Sequence, residues 1–219
     1  MSRSFPVRLE QGYARRSLFA ADITDAVTLA PITTDINVSA TGLRNGPILN
    51  LSGSYVWLEE DGSQPQTVVI DATGTQYESV SVPAPVPPAR SVRVELAPRY
   101  GYAFPPGVTA MRGSLIESLF GTPRPVVGAE VWLQWIDDNA PGTRWVDAPT
   151  HSHSGTNGEF AALLRFSPAQ VPRADADGAV IARLRIRRET AVRSSAQFSL
   201  ALGRITAGQH PFAWNELTP

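Results

Sequence analysis

From Met111 to Phe166 the chain alternates apolar and polar positions in short runs, each closed by turn-forming residues. In Ala129–Ile136, Ala129, Val131, Leu133 and Trp135 fall on one face, and Glu130, Trp132, Gln134 and Ile136 on the other. One face is apolar and the other mixed, the mark of a strand with one side in a core. Gly158–Phe166 sets Phe160, Ala162, Leu164 and Phe166 against Glu159 and Arg165. Asn157-Gly158 just ahead of it is a tight-turn signal, because both residues tolerate positive φ. Thr122-Pro123 and Arg124-Pro125 can donate fewer backbone hydrogen bonds and belong to a connection. Between Ile136 and Asn157 the sequence reads as a polar loop.

The same logic predicts strands along the rest of the chain. Phe5–Leu9 is a short one, and Ile32–Ala40 alternates Ile32, Thr34, Ile36, Val38 and Ala40 against polar positions. Ile48–Leu51, Ser54–Glu59, Gln66–Ala72, Gln76–Val82 and Ser91–Ala97 follow, separated by Gly, Asn, Asp and Pro. Asp22–Ala30 fits a brief helix or a strand equally well, since its β-branched residues oppose its capping signal. The Pro-rich run Pro83–Pro88 predicts a stiff polyproline II connection. Later, Ala179–Arg187 places Val180, Ala182, Leu184 and Ile186 on an apolar face, opposite Arg183, Arg185 and Arg187. Ser195–Leu202 is a further strand, and the tail beyond Ala207 carries Phe212 and Trp214, which would tend to dock.

Three segments resemble the carboxypeptidase regulatory-like domain, a transthyretin-like β-sandwich: Arg112-Gly113-Ser114-Leu115, Pro125-Val126-Val127-Gly128-Ala129-Glu130-Val131 and Thr156-Asn157-Gly158-Glu159-Phe160. The resemblance covers roughly the C-terminal half. It implies a non-catalytic accessory or structural module there. The expected architecture is all-β, with two tandem β-sandwich domains of transthyretin or immunoglobulin-like type. Residues 1–98 form the first, 99–110 a Pro- and aromatic-rich hinge, and 111–219 the second. Tyr100, Tyr102 and Phe104 are expected to plug the seam. Gly53–Leu58 occupies in the first half the place of Gly158–Leu163 in the second, as in a divergent repeat.

With 219 residues, 42% of them apolar, the chain can bury two small cores. Its net charge of -1 gives no electrostatic basis for nucleic-acid binding. All 19 basic residues are Arg, which suits bidentate and stacked contacts better than Lys does, although codon bias produces the same composition. The absence of Cys excludes disulfides, thiolate metal sites and a cysteine nucleophile. The first ten residues contain no apolar signal core, and no run is long enough for a membrane span, so synthesis in the cytoplasm without a signal peptide is expected.

Candidate chemistry is sparse. His151 and His153 sit two apart, as two ligands of one metal would, but a third ligand is not evident. Asp175-Ala176-Asp177-Gly178 has the composition of a β-turn and lacks the later Glu of an EF-hand loop. No nucleophile elbow, catalytic triad spacing or phosphate loop is present, and no cofactor is implied. Arg183, Arg185, Arg187, Arg188 and Arg193 form the strongest local charge feature, a solvated strand face or a docking surface for an acidic partner or a polyanion.

Three functional classes follow, in this order. The first is a non-catalytic subunit of a larger assembly, such as a virion or phage-tail-like contractile particle. It would have other protein subunits, or further copies of itself, as partners. Arg183, Arg185, Arg187, Arg188, Trp145, Phe212 and Trp214 are then the interface candidates. The second is a carbohydrate- or peptide-binding module, with Trp132, Ile136 and Trp145 as contact residues. The third is a metal-dependent enzyme using the His151/His153 loop.

Overall fold

The computed structural model describes residues 16–59, 64–86, 89–137, 144–166, 172, 174–208 and 210–219. The expected strand at Phe5–Leu9, the segment Glu60–Ser63 and the pair Pro87–Pro88 lie outside the described residues. The protein is all-β; among the described residues the one helical element is a 3-10 turn at Trp214–Glu216. Among the described residues no helix is long and apolar enough to cross a membrane.

Seven strands come first: β1 (Ser17–Asp25), β2 (Asn37–Ala40), β3 (Ile48–Leu49), β4 (Tyr55–Leu58), β5 (Thr67–Asp71), β6 (Val80–Pro83) and β7 (Ser91–Leu96). They form two sheets, ordered β3-β4-β1-β7 and β2-β5-β6. Ten follow: β8 (Thr109–Ile116), β9 (Glu130–Asp137), β10 (Arg144–Asp147), β11 (Ser152–His153), β12 (Glu159–Leu164), β13 (Ala179–Arg188), β14 (Ala191–Ser194), β15 (Phe198–Ala201), β16 (Ile205–Ala207) and β17 (Phe212–Ala213). Here a six-stranded sheet is ordered β10-β9-β13-β14, with β11 also on β9 and β15 also on β13. Its companion is ordered β12-β8-β16, with β17 also on β8.

The alternation read in the sequence explains why these strands form. In β1, Phe19, Ala21 and Ile23 are buried while their neighbours are not. With Trp57, Val68, Ile70, Val94 and Leu96 they make one core. Leu115, Leu133, Trp135, Phe160, Leu184, Ile186 and Leu200 make the other. Each core is drawn from both sheets of its own pair, and each large side chain buried there contributes roughly 1.5–3 kcal/mol. Phe19 stacks on Trp57 with ring centroids 4.5 Å apart, and Phe166 meets the edge of Trp135 at 5.2 Å.

The two halves share one connectivity. The first strand of each pairs antiparallel with a later one (β1 with β4, β8 with β12) and parallel with the last of its half (β1 with β7, β8 with β16 and β17). The second strand pairs with the strand after that hairpin partner, β2 with β5 and β9 with β13. Gly53–Leu58 and Gly158–Leu163 therefore hold equivalent places, at β4 and β12.

Several expectations are corrected. Ile32–Ala40 is a strand only from Asn37. The amide of Ile32 donates to Ile23 of the first sheet, whereas Val38 pairs with Ile70 of the second. The chain crosses between sheets at Asp35, whose φ is +62°. Asp22–Ala30 is strand through Asp25 and then turns. The polar loop after Ile136 contains β10 and β11, so Trp145 stands on a strand. β8 begins at Thr109, within the segment 99–110 expected as a hinge. Ser195–Leu202 narrows to Phe198–Ala201, and β14 precedes it. The tail, by contrast, docks as expected: it forms β17, with Phe212 opposite Leu115.

Candidate functional site

Two regions gather the chemistry. The first is the outer face of the six-stranded sheet. Register places Gln134 beside Arg183, Trp132 beside Arg185, and Glu130 beside Arg187. On the other flank of β9, Trp145 lies beside Ile136 and Asp147 beside Gln134. The apolar inner residues of β9 and β13 enter the core, so the remaining alternate residues must share the outer face.

These side chains form a connected network. The Arg183 guanidinium lies 4.1 Å from the Trp145 ring centre, and its Nε donates to Gln134 Oε1 at 2.7 Å. Gln134 Nε2 and Trp132 Nε1 both donate to Asp147 Oδ1, at 2.7 and 2.6 Å. Trp132 stacks on His151 at 4.6 Å and 10°. His151 Nδ1 meets Glu130 Oε1 at 2.7 Å, and Glu130 also pairs with Arg187. Arg185 Nη1 donates to Ser194 Oγ at 2.7 Å. Burial works to raise the Glu130 carboxyl, but its hydrogen bond from His151 and the charges of His151 and Arg187 outweigh that and hold it below its ordinary value. Arg183 is lowered, first by burial and then by the neighbouring Arg185 charge.

The arginine cluster divides. Arg183, Arg185 and Arg187 share this face, whereas Arg188 and Arg193 lie on the other side of the sheet. Arg188 pairs with Glu117 at 2.8 Å, and Arg193 covers Trp214 at 4.7 Å while donating to its carbonyl. Phe212 packs on Phe160 with centroids 6.0 Å apart. Phe212 and Trp214 are partly buried against the second core.

The second region is the seam between the halves. Tyr102 is buried there, and its hydroxyl donates to Asp25 Oδ2 at 2.5 Å; the Tyr77 hydroxyl reaches the same oxygen at 3.3 Å. Burial, then the Asp25 hydrogen bond and charge, push the Tyr102 phenol far above its usual range. Arg112 donates to the Tyr102 carbonyl and lies 5.4 Å from the Phe104 ring centre. Tyr100 is exposed, whereas Tyr102 is buried and the half-buried Phe104 packs on it with ring centroids 4.9 Å apart. Arg165 joins Glu95 at 2.7 Å and the Ala26 carbonyl at 2.9 Å. Beside these a cleft of about 730 Å³ is lined by Glu78, Arg99, Tyr100, His153 and Glu159, among others.

His151 and His153 take different carboxylates. His153 Nδ1 meets Glu78 Oε2 at 2.8 Å, and its amide donates to Glu78 Oε1 at 2.6 Å. Among the described residues no group of three or more His, Asp or Glu side chains converges as metal ligands would. Asp175 accepts from the amides of Asp177 and Ala179 at 3.0 and 2.8 Å, which makes that segment a turn.

The Glu78 hydrogen bond raises the His153 imidazole, with burial opposing and the Glu78 charge adding to the rise. A raised folded value means that the clasp's ionic contribution is fully present below the ordinary imidazole value of about 6.5 and is lost as pH climbs through the raised one. In an NMR titration His153 is expected to titrate above an ordinary imidazole, and Glu78→Gln to bring it down. An unchanged His153 midpoint in Glu78→Gln would remove the clasp from consideration.

Sequence reasoning missed Gln134, Asp147, Glu130 and Ser194 as members of the outer network. The mixed face of β9 was readable, but its register against β13 and β10 was not. Compared with protein-family models, curated proteins and solved structures, the chain matches none.

Proposed function

We propose that this chain is a non-catalytic interaction protein, a subunit of a larger assembly such as a virion or phage-tail-like contractile particle. Its two halves are read as tandem β-sandwiches, the second of carboxypeptidase regulatory-like, transthyretin-like type. The observation that carries the reading is the outer face of the six-stranded sheet. It is a broad sheet surface bearing three arginines, held in place by stacking and hydrogen bonds. Such a rigid Arg- and Trp-bearing surface suits a protein partner. The carbohydrate reading is less well supported, because the aromatic faces it needs are engaged: Trp132 by His151 and Trp145 by Arg183. The metal-enzyme reading draws little support from two imidazoles bound to separate carboxylates.

The test is a native pull-down from the source cells, with mass spectrometry and electron microscopy of the eluate. Large particles containing this chain are the expected result. A monodisperse monomer that binds a small ligand tightly and brings nothing down would sink the reading.

A further inference from the structure

Two arginines on the outer face have no carboxylate in contact among the described residues; the Asp147 charge reaches Arg183 only across Gln134. Arg183 and Arg185 are both half-buried, and among the described residues neither forms an ion pair; the partners they do have are Gln134, the Trp145 ring and Ser194, all neutral. Arg187, next along the strand, is already matched by Glu130. Arg185 also has a buried Nε with no acceptor. Partly desolvated cations without a carboxylate cost free energy, and a carboxylate arriving from outside offsets that cost. The cation is held in advance: the Trp145 ring and Gln134 fix the Arg183 fork, and Ser194 fixes that of Arg185. Less rotamer entropy is then lost on binding.

We propose that Arg183 and Arg185 form a carboxylate-binding site for an extended acidic segment of a partner protein, laid along β13. This rests on the interaction reading above and names the partner's chemistry. Residues two apart on a strand stand roughly 6.6–6.8 Å apart, the distance between alternate side chains of any other extended chain. Acidic side chains at alternate positions of the segment therefore meet both forks at once. Ile181, two residues before Arg183 on the same face and 51% exposed, offers an apolar contact for the next alternate position. The recognised pattern is apolar, any, acidic, any, acidic. A nucleic acid fits less well. Its evenly charged backbone would meet Glu130 and Asp147 on the same face, and the chain as a whole carries a net charge of -1.

The test uses the full chain and a fluorescein-labelled peptide, Leu-Thr-Glu-Thr-Glu-Thr, read by fluorescence anisotropy at low salt. A second peptide has Gln for Glu, and a single-stranded oligonucleotide serves as a polyphosphate probe. The Glu peptide is expected to bind and the Gln peptide to bind at least tenfold more weakly. Arg183→Gln and Arg185→Gln each weaken binding about tenfold or more. Arg187→Gln changes it less, and Arg204→Gln, exposed elsewhere, leaves it unchanged. Ile181→Glu sets a negative charge in the path of the segment without touching the network, and it abolishes binding even if an arginine variant fails to fold. The proposal is overturned if the Gln peptide binds equally, if the oligonucleotide binds more tightly than the Glu peptide, or if Ile181→Glu and Arg185→Gln bind like the parent. Particles in the pull-down together with no peptide binding would leave the subunit reading standing and remove this site. Peptide binding by a protein that brings nothing down would do the reverse.

Discussion

Replacing Gly158 with alanine is expected to destabilise the C-terminal half by about 3 kcal/mol. Gly158 has φ +77°, where an L side chain is strained, and a Cβ built there would lie 2.2 Å from the Leu115 carbonyl oxygen. That distance is far inside contact, and the obstacle is backbone. The Gly158 carbonyl accepts from the Leu115 amide at 2.8 Å, so relief of the clash pulls β12 away from β8 at the start of their ladder. Phe160, two residues on and buried, would lose its place beside Gly113, where a Cβ would stand 2.7 Å from its ring. Chemical denaturation followed by tryptophan fluorescence measures the loss. A Gly158→Ala midpoint equal to the parent's would show that the β8–β12 junction yields without cost.

Asp25→Ala is expected to cost about 3 kcal/mol and to loosen the seam. The carboxylate is buried and accepts four hydrogen bonds: from the Val27 amide at 2.7 Å, Thr28 Oγ1 at 3.0 Å, Tyr77 OH at 3.3 Å and Tyr102 OH at 2.5 Å. Alanine leaves the buried Tyr102 hydroxyl unmatched and frees the turn that ends β1. Removing one side of a buried pair is costlier than the pair is worth, because the surviving group keeps its desolvation penalty. Tyr102→Phe alongside Asp25→Ala should recover part of the loss. A double variant as unstable as the sum of the two singles would show that the two groups act independently.

Much of this fold could be read from alternation alone. Ala129, Val131, Leu133 and Trp135 enter the core, as do Val180, Ala182, Leu184 and Ile186. The Asn157-Gly158 turn stands where its residues demand. What stayed hidden depended on contacts distant in sequence. In Ile32–Ala40, Ile32, Val38 and Ala40 are buried but Thr34 is exposed, and the run is broken as a strand because Ile32 and Val38 serve different sheets. Arg144–Asp147 reads as polar loop, since Trp145 and Asp147 face outward; only pairing with Ile136 and Gln134 makes it a strand. Arg188 looks like one more member of the arginine row, but its even position turns it toward Glu117. Trp132 reads as exposed on the mixed face and is covered by His151, which stands just before β11. The candidate site was thus visible as a set of residues, but its wiring was not.

In both halves the opening strand is clasped by the closing one: Ile23 pairs with Val94, and Met111 with Thr206. Neither half can complete its first sheet by local steps, since each must bring together stretches separated by nearly its whole length. Loop-closure entropy then opposes the pairing until most of the core has collapsed around it. During synthesis the N-terminal half can close once β7 has emerged, while β8 waits with one edge unpaired for β16 and β17. An unpaired, apolar strand edge of that kind is open to the wrong neighbour. Refolding of the full chain should therefore be biphasic, with the slower phase belonging to the half that carries the arginine face.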